Sequence, residues 1–233
     1  MNDIQHLLST FFSKSFENEI NEKLFIRNYK MDYDSVVSYV RDLNQIPLVL
    51  FVQYVFENCS TSYITFQDVV QFSSFSDATN GICNVLSASD NNGLSNIEVG
   101  HALLNDGKER NDCALRKYGE NHAKTAIELG LANALFNRYY LTCLGLVFTT
   151  LSAFDQTELL RRTILRNRFF QKVVKKAQQE PVSLFKEISF LSESTAKRRL
   201  PNIRHFYTIL LGNEPEMAEL LNNLTVSGQF LIG

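Results

Sequence analysis

The sequence predicts a mainly α-helical protein, with an N-terminal helical domain followed by two units that each contain a helix-turn-helix pattern. The 233 residues include only 10 Gly and 4 Pro, few for an all-β fold with its many turns. Apolar residues recur at the three- and four-residue spacing of amphipathic helices. Twice a short helical pattern, a turn and a longer helical pattern follow one another, in residues 93–155 and in residues 156–233.

The first 90 residues are predicted to form an acidic helical domain. A first helix has apolar residues at positions 4, 7, 8, 11 and 12, and a second helical pattern covers residues 16–29. Asp34 is predicted to cap a short amphipathic helix, and Ile46 to Cys59 is predicted to be a buried helix. Residues 87–93, SASDNNG, are small and polar, and we expect the domain to end there.

Residues 93–155 have the order short helix, turn, longer helix and hairpin. Ser95 and Glu98 form a capping-box pattern at the start of the short helix. Asp112 is predicted to cap the longer helix and Gly130 to end it. A hairpin is predicted around Asn137-Arg138. This order is that of a winged helix-turn-helix, whose second helix and hairpin are the parts offered to DNA.

Residues 156–233 repeat part of this order and end in an acidic tail. One long basic helix is predicted from Thr157 to Gln178, followed by a short helix, a turn and a helix capped by Ser192. Pro201 is predicted to split the last helical region, leaving a short recognition-type helix from Glu193 to Leu200 and a second helix after it.

The net charge of −2 conceals an uneven distribution. Residues 1–100 hold 5 Lys and Arg against 12 Asp and Glu, a net charge of −7. Residues 156–210 hold 12 Lys and Arg against 4 Asp and Glu, a net charge of +8. The basic segment is predicted to face a polyanion and the acidic half a protein partner. The alternative is that the two parts neutralise each other within the protein.

The predicted nucleic-acid contacts lie mainly in LSESTAKRRLPNIRHFYTIL, residues 191–210. A helix that starts with Ser and Thr and carries Lys and Arg nearby suits phosphate oxygens, and Arg can also bind guanine. The alternative is a solvated basic helix face. The predicted contacts in this segment are Ser194, Thr195, Lys197, Arg198, Arg199 and Arg204. Those in the first helix-turn-helix unit are Arg116, Lys117, Lys124 and, at the predicted hairpin tip, Arg138.

Residues 93–211 resemble winged helix-turn-helix domains, in particular those attached to or encoded with prokaryotic restriction and phage-defence proteins. The matching stretches are residues 93–132, GLSNIEVGHALLNDGKERNDCALRKYGENHAKTAIELGLA, residues 139–145, YYLTCLG, and residues 191–200, LSESTAKRRL. Leu141, Thr142, Leu144 and Gly145 match the element that ends a wing. The resemblance implies DNA binding within a defence or regulatory system. It does not extend to residues 1–90.

The sequence does not predict an enzyme, a metal site or a cofactor. The carboxylates that a nuclease would need are scattered along the chain, at Asp68, Asp77, Asp90 and Glu98. The four Cys lack metal-ligand spacing, and no Gly-rich loop has the spacing of a nucleotide site. The remaining catalytic alternative is a thiol–imidazole pair of Cys113 with His101 or His122.

We therefore expect a non-catalytic protein that binds double-stranded DNA, as a targeting or accessory subunit of a prokaryotic restriction-like defence system. One alternative is a protein–protein adaptor that uses winged helices for complex assembly. Another is a stand-alone transcriptional regulator, which would bind a palindrome as a homodimer. The apolar runs are too short to cross a membrane, and the first residues lack the basic start of a signal peptide, so a cytoplasmic location is expected.

Overall fold

A computed structural model describes residues 2–13, 30–60, 63–89, 92–177, 179–213, 215–221 and 224–225. The helical pattern predicted over residues 16–29 lies outside them. The described part is mainly helical, as predicted. Its helices are α1 (Asn2–Phe12), α2 (Lys30–Gln45), α3 (Leu48–Asn58), α4 (Ile82–Ser87), α5 (Asn96–Leu103), α6 (Asp112–Glu128), α7 (Cys143–Thr150), α8 (Ala153–Ile164), α9 (Arg168–Ala177), α10 (Leu184–Glu187), α11 (Glu193–Leu211) and α12 (Pro215–Leu220). Its strands are β1 (Ala132–Leu135), β2 (Arg138–Leu141), β3 (Val182–Ser183) and β4 (Leu224–Thr225).

The described residues form two compact units whose boundaries differ from the predicted domains. Unit 1 comprises the described residues of 1–45 and 71–159, and unit 2 comprises those of 46–70 and 160–233. The predicted domain of residues 1–90 is thus divided between the units. The polar segment 87–93 does not end a domain, because α4 before it packs against β2, and Leu94 after it bonds to Tyr139 of the same strand. The predicted boundary at residue 155 lies close to the change at residue 160.

The N-terminal part of unit 1 consists of α1 and α2. Leu8 and Phe11 of α1 are buried, as are Val40 and Leu43 of α2, so the predicted apolar face of the first helix is confirmed in part, whereas Ile4 is exposed. Because α2 begins at Lys30, Asp34 lies inside the helix and does not cap it, so that prediction is wrong.

The short helix α5 packs its backbone directly onto the longer helix α6. A Cβ atom on Gly119 would lie 2.1 Å from the carbonyl oxygen of Asn96. One on Gly100 would lie 2.1 Å from the carbonyl oxygen of Leu115. Any side chain at either position would force the two helices apart.

The ends of α5 and α6 follow the predicted capping pattern with one correction. The Glu98 carboxylate accepts a hydrogen bond from the Ser95 N–H at 2.7 Å, and the Ser95 hydroxyl accepts one from the Glu98 N–H at 3.4 Å. Helix α6 is capped by Asn111, which accepts a bond from the Ala114 N–H at 2.8 Å, and not by Asp112. Asn and Asp are equally good caps, so local sequence rules could not separate the two neighbours.

A glycine motif ends α6 and turns the chain into the hairpin. Gly130 has φ 74°, and the next N–H, that of Leu131, donates to the Ala126 carbonyl at 2.8 Å. This is a Schellman motif, as Gly130 predicts. The β1–β2 hairpin is also as predicted, but its turn is Phe136–Asn137, where both residues have positive φ. Arg138 is the first residue of β2 and pairs with Leu135.

In unit 2 the predicted long basic helix is divided into α8 and α9. The break lies at residues 165–167, where the Asn167 side-chain oxygen accepts bonds from the N–H groups of Phe169 and Phe170 at 3.0 and 3.3 Å. This internal cap starts a second helix, which apolar periodicity alone does not reveal. The Phe170 ring packs against that of Phe206 of α11, with centroids 5.8 Å apart.

Helix α11 is continuous, so the predicted split at Pro201 is wrong. Pro201 is exposed, and the cost of the backbone hydrogen bond that it removes is offset by burial of the apolar seam on both sides of it. The seam is buried as predicted, at Ala196, Leu200, Ile203, Tyr207 and Leu210. Beyond α11, the strand β4 pairs in parallel with β3, which lies just before α10.

Candidate nucleic-acid interface

The exposed side of α11 carries most of the predicted contacts in unit 2. We call Ser194, Lys197, Arg198 and Arg204 the α11 stripe. Three of these residues are exposed and Arg204 is half-buried. Thr195 is half-buried, and its hydroxyl accepts a hydrogen bond from that of Ser192 at 2.9 Å.

Within the stripe, Lys197 forms an ion pair with Glu193 across one helical turn, at 2.6 Å. Lys197 thereby lowers the pKa of the Glu193 carboxyl. Both side chains are more than half exposed, so a phosphate can compete for the ammonium group at little cost.

Arg199 points to a different side of α11 from Arg198 and is only 6% exposed. Its guanidinium donates hydrogen bonds to the carbonyl oxygens of Phe66 and Val69 and lies 4.8 Å from the centroid of the Phe66 ring. Burial, and the charge of Arg198 to a smaller extent, lower the pKa of Arg199. The prediction that Arg199 contacts a nucleic acid does not hold, because its guanidinium is buried and bonded to the protein backbone.

Several other cations of the 156–210 segment are also used within unit 2. Arg161 and Arg162 are buried, and both donate to backbone carbonyls. Arg161 bonds to the carbonyls of Leu210 and Leu211 at the end of α11, where helix carbonyls lack internal partners. On α9, Lys172 and Lys176 both pair with Glu187, at 3.5 and 2.6 Å, and Lys175 donates to the Cys59 carbonyl at 2.8 Å. The charge of +8 is therefore not all displayed on the surface.

In unit 1 the predicted contacts on α6 are exposed. They are Arg116, Lys117 and Lys124. Glu120 lies between the two lysines, 3.5 Å from the Lys117 ammonium and 2.5 Å from that of Lys124, and its pKa is lowered by both. Two cations thus share one carboxylate, so the group of Lys117, Glu120 and Lys124 keeps one net positive charge.

Arg138 connects the turn end of the β1–β2 hairpin to the start of α5. Its guanidinium donates to the Gly93 carbonyl at 2.9 Å and to the Glu98 carboxylate at 3.1 Å. Arg138 therefore lies directly after the turn, beside the hairpin tip as predicted, and its role as a nucleic-acid contact stays a prediction. The tip is occupied by Phe136, which is 86% exposed and was not predicted as a site residue. The sequence signal that could have identified Phe136 is an apolar residue next to Asn137 in the predicted turn.

The thiol–imidazole alternative that pairs Cys113 with His122 does not fit the positions of these two residues. Cys113 and His122 are nine residues apart on α6, about 14 Å along its axis. His122 is fully buried, with Nδ1 2.7 Å from the Tyr118 carbonyl oxygen and Nε2 accepting a bond from the Ser74 N–H at 3.2 Å. Burial lowers the pKa of this imidazole.

The described residues contain no cluster of three or more His, Cys, Asp or Glu side chains that could hold a metal ion. Within the same part of the chain, no helix has the length and apolar character needed to cross a membrane. Comparisons with protein-family models, curated proteins and solved structures found no match. Of the predicted nucleic-acid contacts, those that are exposed lie on the α11 stripe and on the exposed side of α6.

Proposed function

We propose that this chain is a non-catalytic protein that binds double-stranded DNA, as a targeting or accessory subunit of a prokaryotic restriction-like defence system. The observation that carries DNA binding is the α11 stripe, in which Lys197 and Arg198 are exposed directly after a helix N-terminus. The defence setting rests on the resemblance of residues 93–211 to winged helix-turn-helix domains of such systems.

The elements around α11 support this proposal. Helix α9, the short strand β3, the short helix α10 and the longer helix α11 follow one another as in a helix-turn-helix domain. In that arrangement α11 would be the recognition helix. Its first turns would then lie against the duplex, with the Ser194 hydroxyl and the cations of Lys197 and Arg198 near phosphate oxygens.

The same order supports a second contact through unit 1. There α4 is followed by the extended residue Leu94, the short helix α5, the longer helix α6 and the β1–β2 hairpin. Leu94 bonds to Tyr139 of β2, so an extended segment flanks the hairpin, as in a winged helix-turn-helix. Arg116, Lys117 and Lys124 would contact phosphates from the exposed side of α6.

The test is fluorescence anisotropy with a labelled random-sequence duplex at low and moderate salt. We expect the native protein to bind, with affinity falling steeply as salt rises. The double variant Lys197→Ala/Arg198→Ala should lose about tenfold or more, and its salt slope should fall by about two. Arg199 is not substituted in this test, because its hydrogen bonds to the Phe66 and Val69 carbonyls stabilise unit 2.

The matched control is Lys117→Ala/Lys124→Ala, which removes two exposed lysines from α6. A smaller loss in this variant would identify α11 as the main DNA-binding helix. Equal losses would mean that both helices bind. No binding by the native protein at low salt would overturn the proposal.

A protein–protein adaptor is the second candidate, and Phe136 is the observation that favours it. This ring is 86% exposed at a turn with positive φ, and Arg138, directly after the turn, donates a hydrogen bond to the Gly93 carbonyl. Bulky residues rarely adopt positive φ, and such outliers occur often at functional sites. An adaptor would fail to bind DNA, and its complex with a partner protein would survive high salt and be lost in Phe136→Ala.

A further inference from the structure

Two large aromatic rings of unit 2 are exposed beside its basic residues. Tyr63 is 83% exposed and Phe66 is 55% exposed. They lie three residues apart on either side of Thr65, at the start of a 3₁₀ turn that covers Phe66–Asp68. Rings of this size are usually buried when a core is available, so their exposure needs a reason.

The turn that carries these rings is held firmly. The Asp68 carboxylate accepts hydrogen bonds from the Thr65 N–H and hydroxyl at 2.6 and 2.7 Å. The Asp68 carbonyl accepts a bond from the Asn167 side chain at 3.0 Å. Arg199 donates to the carbonyls of Phe66 and Val69. The backbone is therefore fixed by its own cap, by the residue before α9 and by α11.

The Phe66 ring is fixed as well as its backbone. The Arg199 guanidinium lies 4.8 Å from the ring centroid, and this group is itself buried. A cation–π contact of this kind orients the ring while more than half of the side chain still faces solvent. A preoriented ring loses little conformational freedom when a flat ligand stacks on it.

Cations flank both rings. Arg168 donates to the Tyr63 carbonyl at 3.2 Å, and its side chain is 52% exposed. On the other side, Arg198 is exposed and directly precedes Arg199, the residue of α11 that contacts Phe66. The rings therefore lie between one end of α9 and the α11 stripe.

We infer that Tyr63 and Phe66 form a stacking site for unpaired bases of single-stranded DNA, with Arg168 and Arg198 binding the adjoining phosphates. Base stacking on aromatic side chains next to a basic groove is the general mode of single-strand binding. Bases inside a duplex already stack on one another, so only unpaired bases can use these rings. The inference rests on the proposed DNA binding and adds a preference for DNA with a single-stranded stretch next to the duplex.

The chain contains no Trp, so a single introduced Trp is a specific fluorescent reporter. Phe66→Trp and Tyr63→Trp place it at the site. Phe136→Trp places it on the exposed hairpin turn of unit 1 as the matched control. Each variant is titrated with a single-stranded dT oligonucleotide and with a blunt duplex of the same length. We expect the single strand to quench the reporters at positions 63 and 66 strongly and the control reporter little.

Anisotropy on the native protein gives an independent readout. A duplex with a single-stranded dT overhang should bind on the order of tenfold tighter than the blunt duplex, and Tyr63→Ala should remove most of this difference. If both duplexes bind equally and the site reporters are not quenched, the stacking site is wrong while DNA binding stands. If neither duplex nor single strand binds, both proposals fail. Should Phe66→Trp lose its helical circular dichroism, Tyr63→Trp decides the result.

Discussion

Units 1 and 2 share an order of elements but complete it differently. In unit 1, α4, Leu94, α5 and α6 lead into a hairpin that bonds back to Leu94. In unit 2, α9, β3, α10 and α11 lead into α12, and the strand that returns to β3 is the parallel strand β4. In unit 1, Gly100 and Gly119 allow the short helix α5 to contact α6 backbone to backbone. In unit 2, buried arginines connect α11 to its surroundings, because Arg161 donates to the Leu210 carbonyl and Arg199 donates to the Val69 carbonyl.

This comparison shows that the net charge of a sequence segment does not give the charge that the segment exposes to solvent. Arg198 and Arg199 are adjacent, yet successive helix residues point about 100° apart, and only Arg198 reaches solvent. In unit 1, which has no excess of cations in sequence, the three predicted contacts on α6 are all exposed.

The largest effect is expected for Arg199→Ala in unit 2. This change leaves the carbonyls of Phe66 and Val69 without their donor and should lower the free energy of unfolding by about 3 kcal/mol. The neighbouring Arg198→Ala should change it by less than about 0.5 kcal/mol. Urea unfolding followed by circular dichroism measures both. Equal losses would contradict the finding that Arg199 is buried and Arg198 is exposed.

In unit 1 the corresponding weak point is the crossing of α5 and α6. Gly119→Ala puts a methyl group against the Asn96 carbonyl and should cost about 2 kcal/mol in the free energy of unfolding. Lys117→Ala, on the exposed side of the same helix, is the control and should be nearly neutral. Tolerance of Gly119→Ala in the same urea experiment would mean that the helices can separate without loss.

The buried imidazole of unit 1 should make stability depend on pH. His122 accepts a bond at Nε2 from the Ser74 N–H and so must be neutral in the fold, and burial holds its pKa below 6.5. As pH falls through about 6.5, the unfolded chain takes up a proton first, so the free energy of unfolding decreases. Above that pH the stabilisation is complete.

The measurement is urea unfolding of the native protein and of His122→Gln on both sides of this pH. The native protein should lose more stability on acidification than the variant. In unit 2, burial also lowers the pKa of His205, but this residue is largely exposed, so His205→Gln should change the pH dependence less. Identical profiles for the native protein and His122→Gln would contradict the role of the imidazole.

The smallest effect is expected from removing a carboxylate beside each candidate DNA helix. Glu193→Gln releases Lys197 on α11, and Glu120→Gln releases Lys117 and Lys124 on α6. Each should tighten duplex binding by about two- to fivefold at low salt, because one repelling charge is lost. Whichever variant gains more identifies the helix that lies nearer the phosphates. A gain from neither would place the duplex elsewhere.

Local sequence patterns predicted helices, their ends and the residues on their buried faces. The three- and four-residue spacing of apolar residues correctly gave the buried seam of α11, and Ser95, Glu98 and Gly130 correctly gave the ends of α5 and α6. These features depend on residues within one or two turns of each other, and helix periodicity and capping act over that range. The predicted split at Pro201 is wrong for the same reason. The backbone hydrogen bond that Pro201 removes can be inferred from the sequence, whereas the burial of the apolar seam that compensates for it cannot.

The tertiary structure alone decided which cations face solvent and which parts of the chain form a unit. Arg199 donates a hydrogen bond to the Phe66 carbonyl, 133 positions earlier in the chain. Arg162 donates one to the Ile46 carbonyl, 116 positions earlier. The stacking site of Tyr63 and Phe66 exists only because α9 and α11 hold that turn from a distance. Such contacts connect residues whose separation in the chain follows no period, so no local pattern could have predicted them.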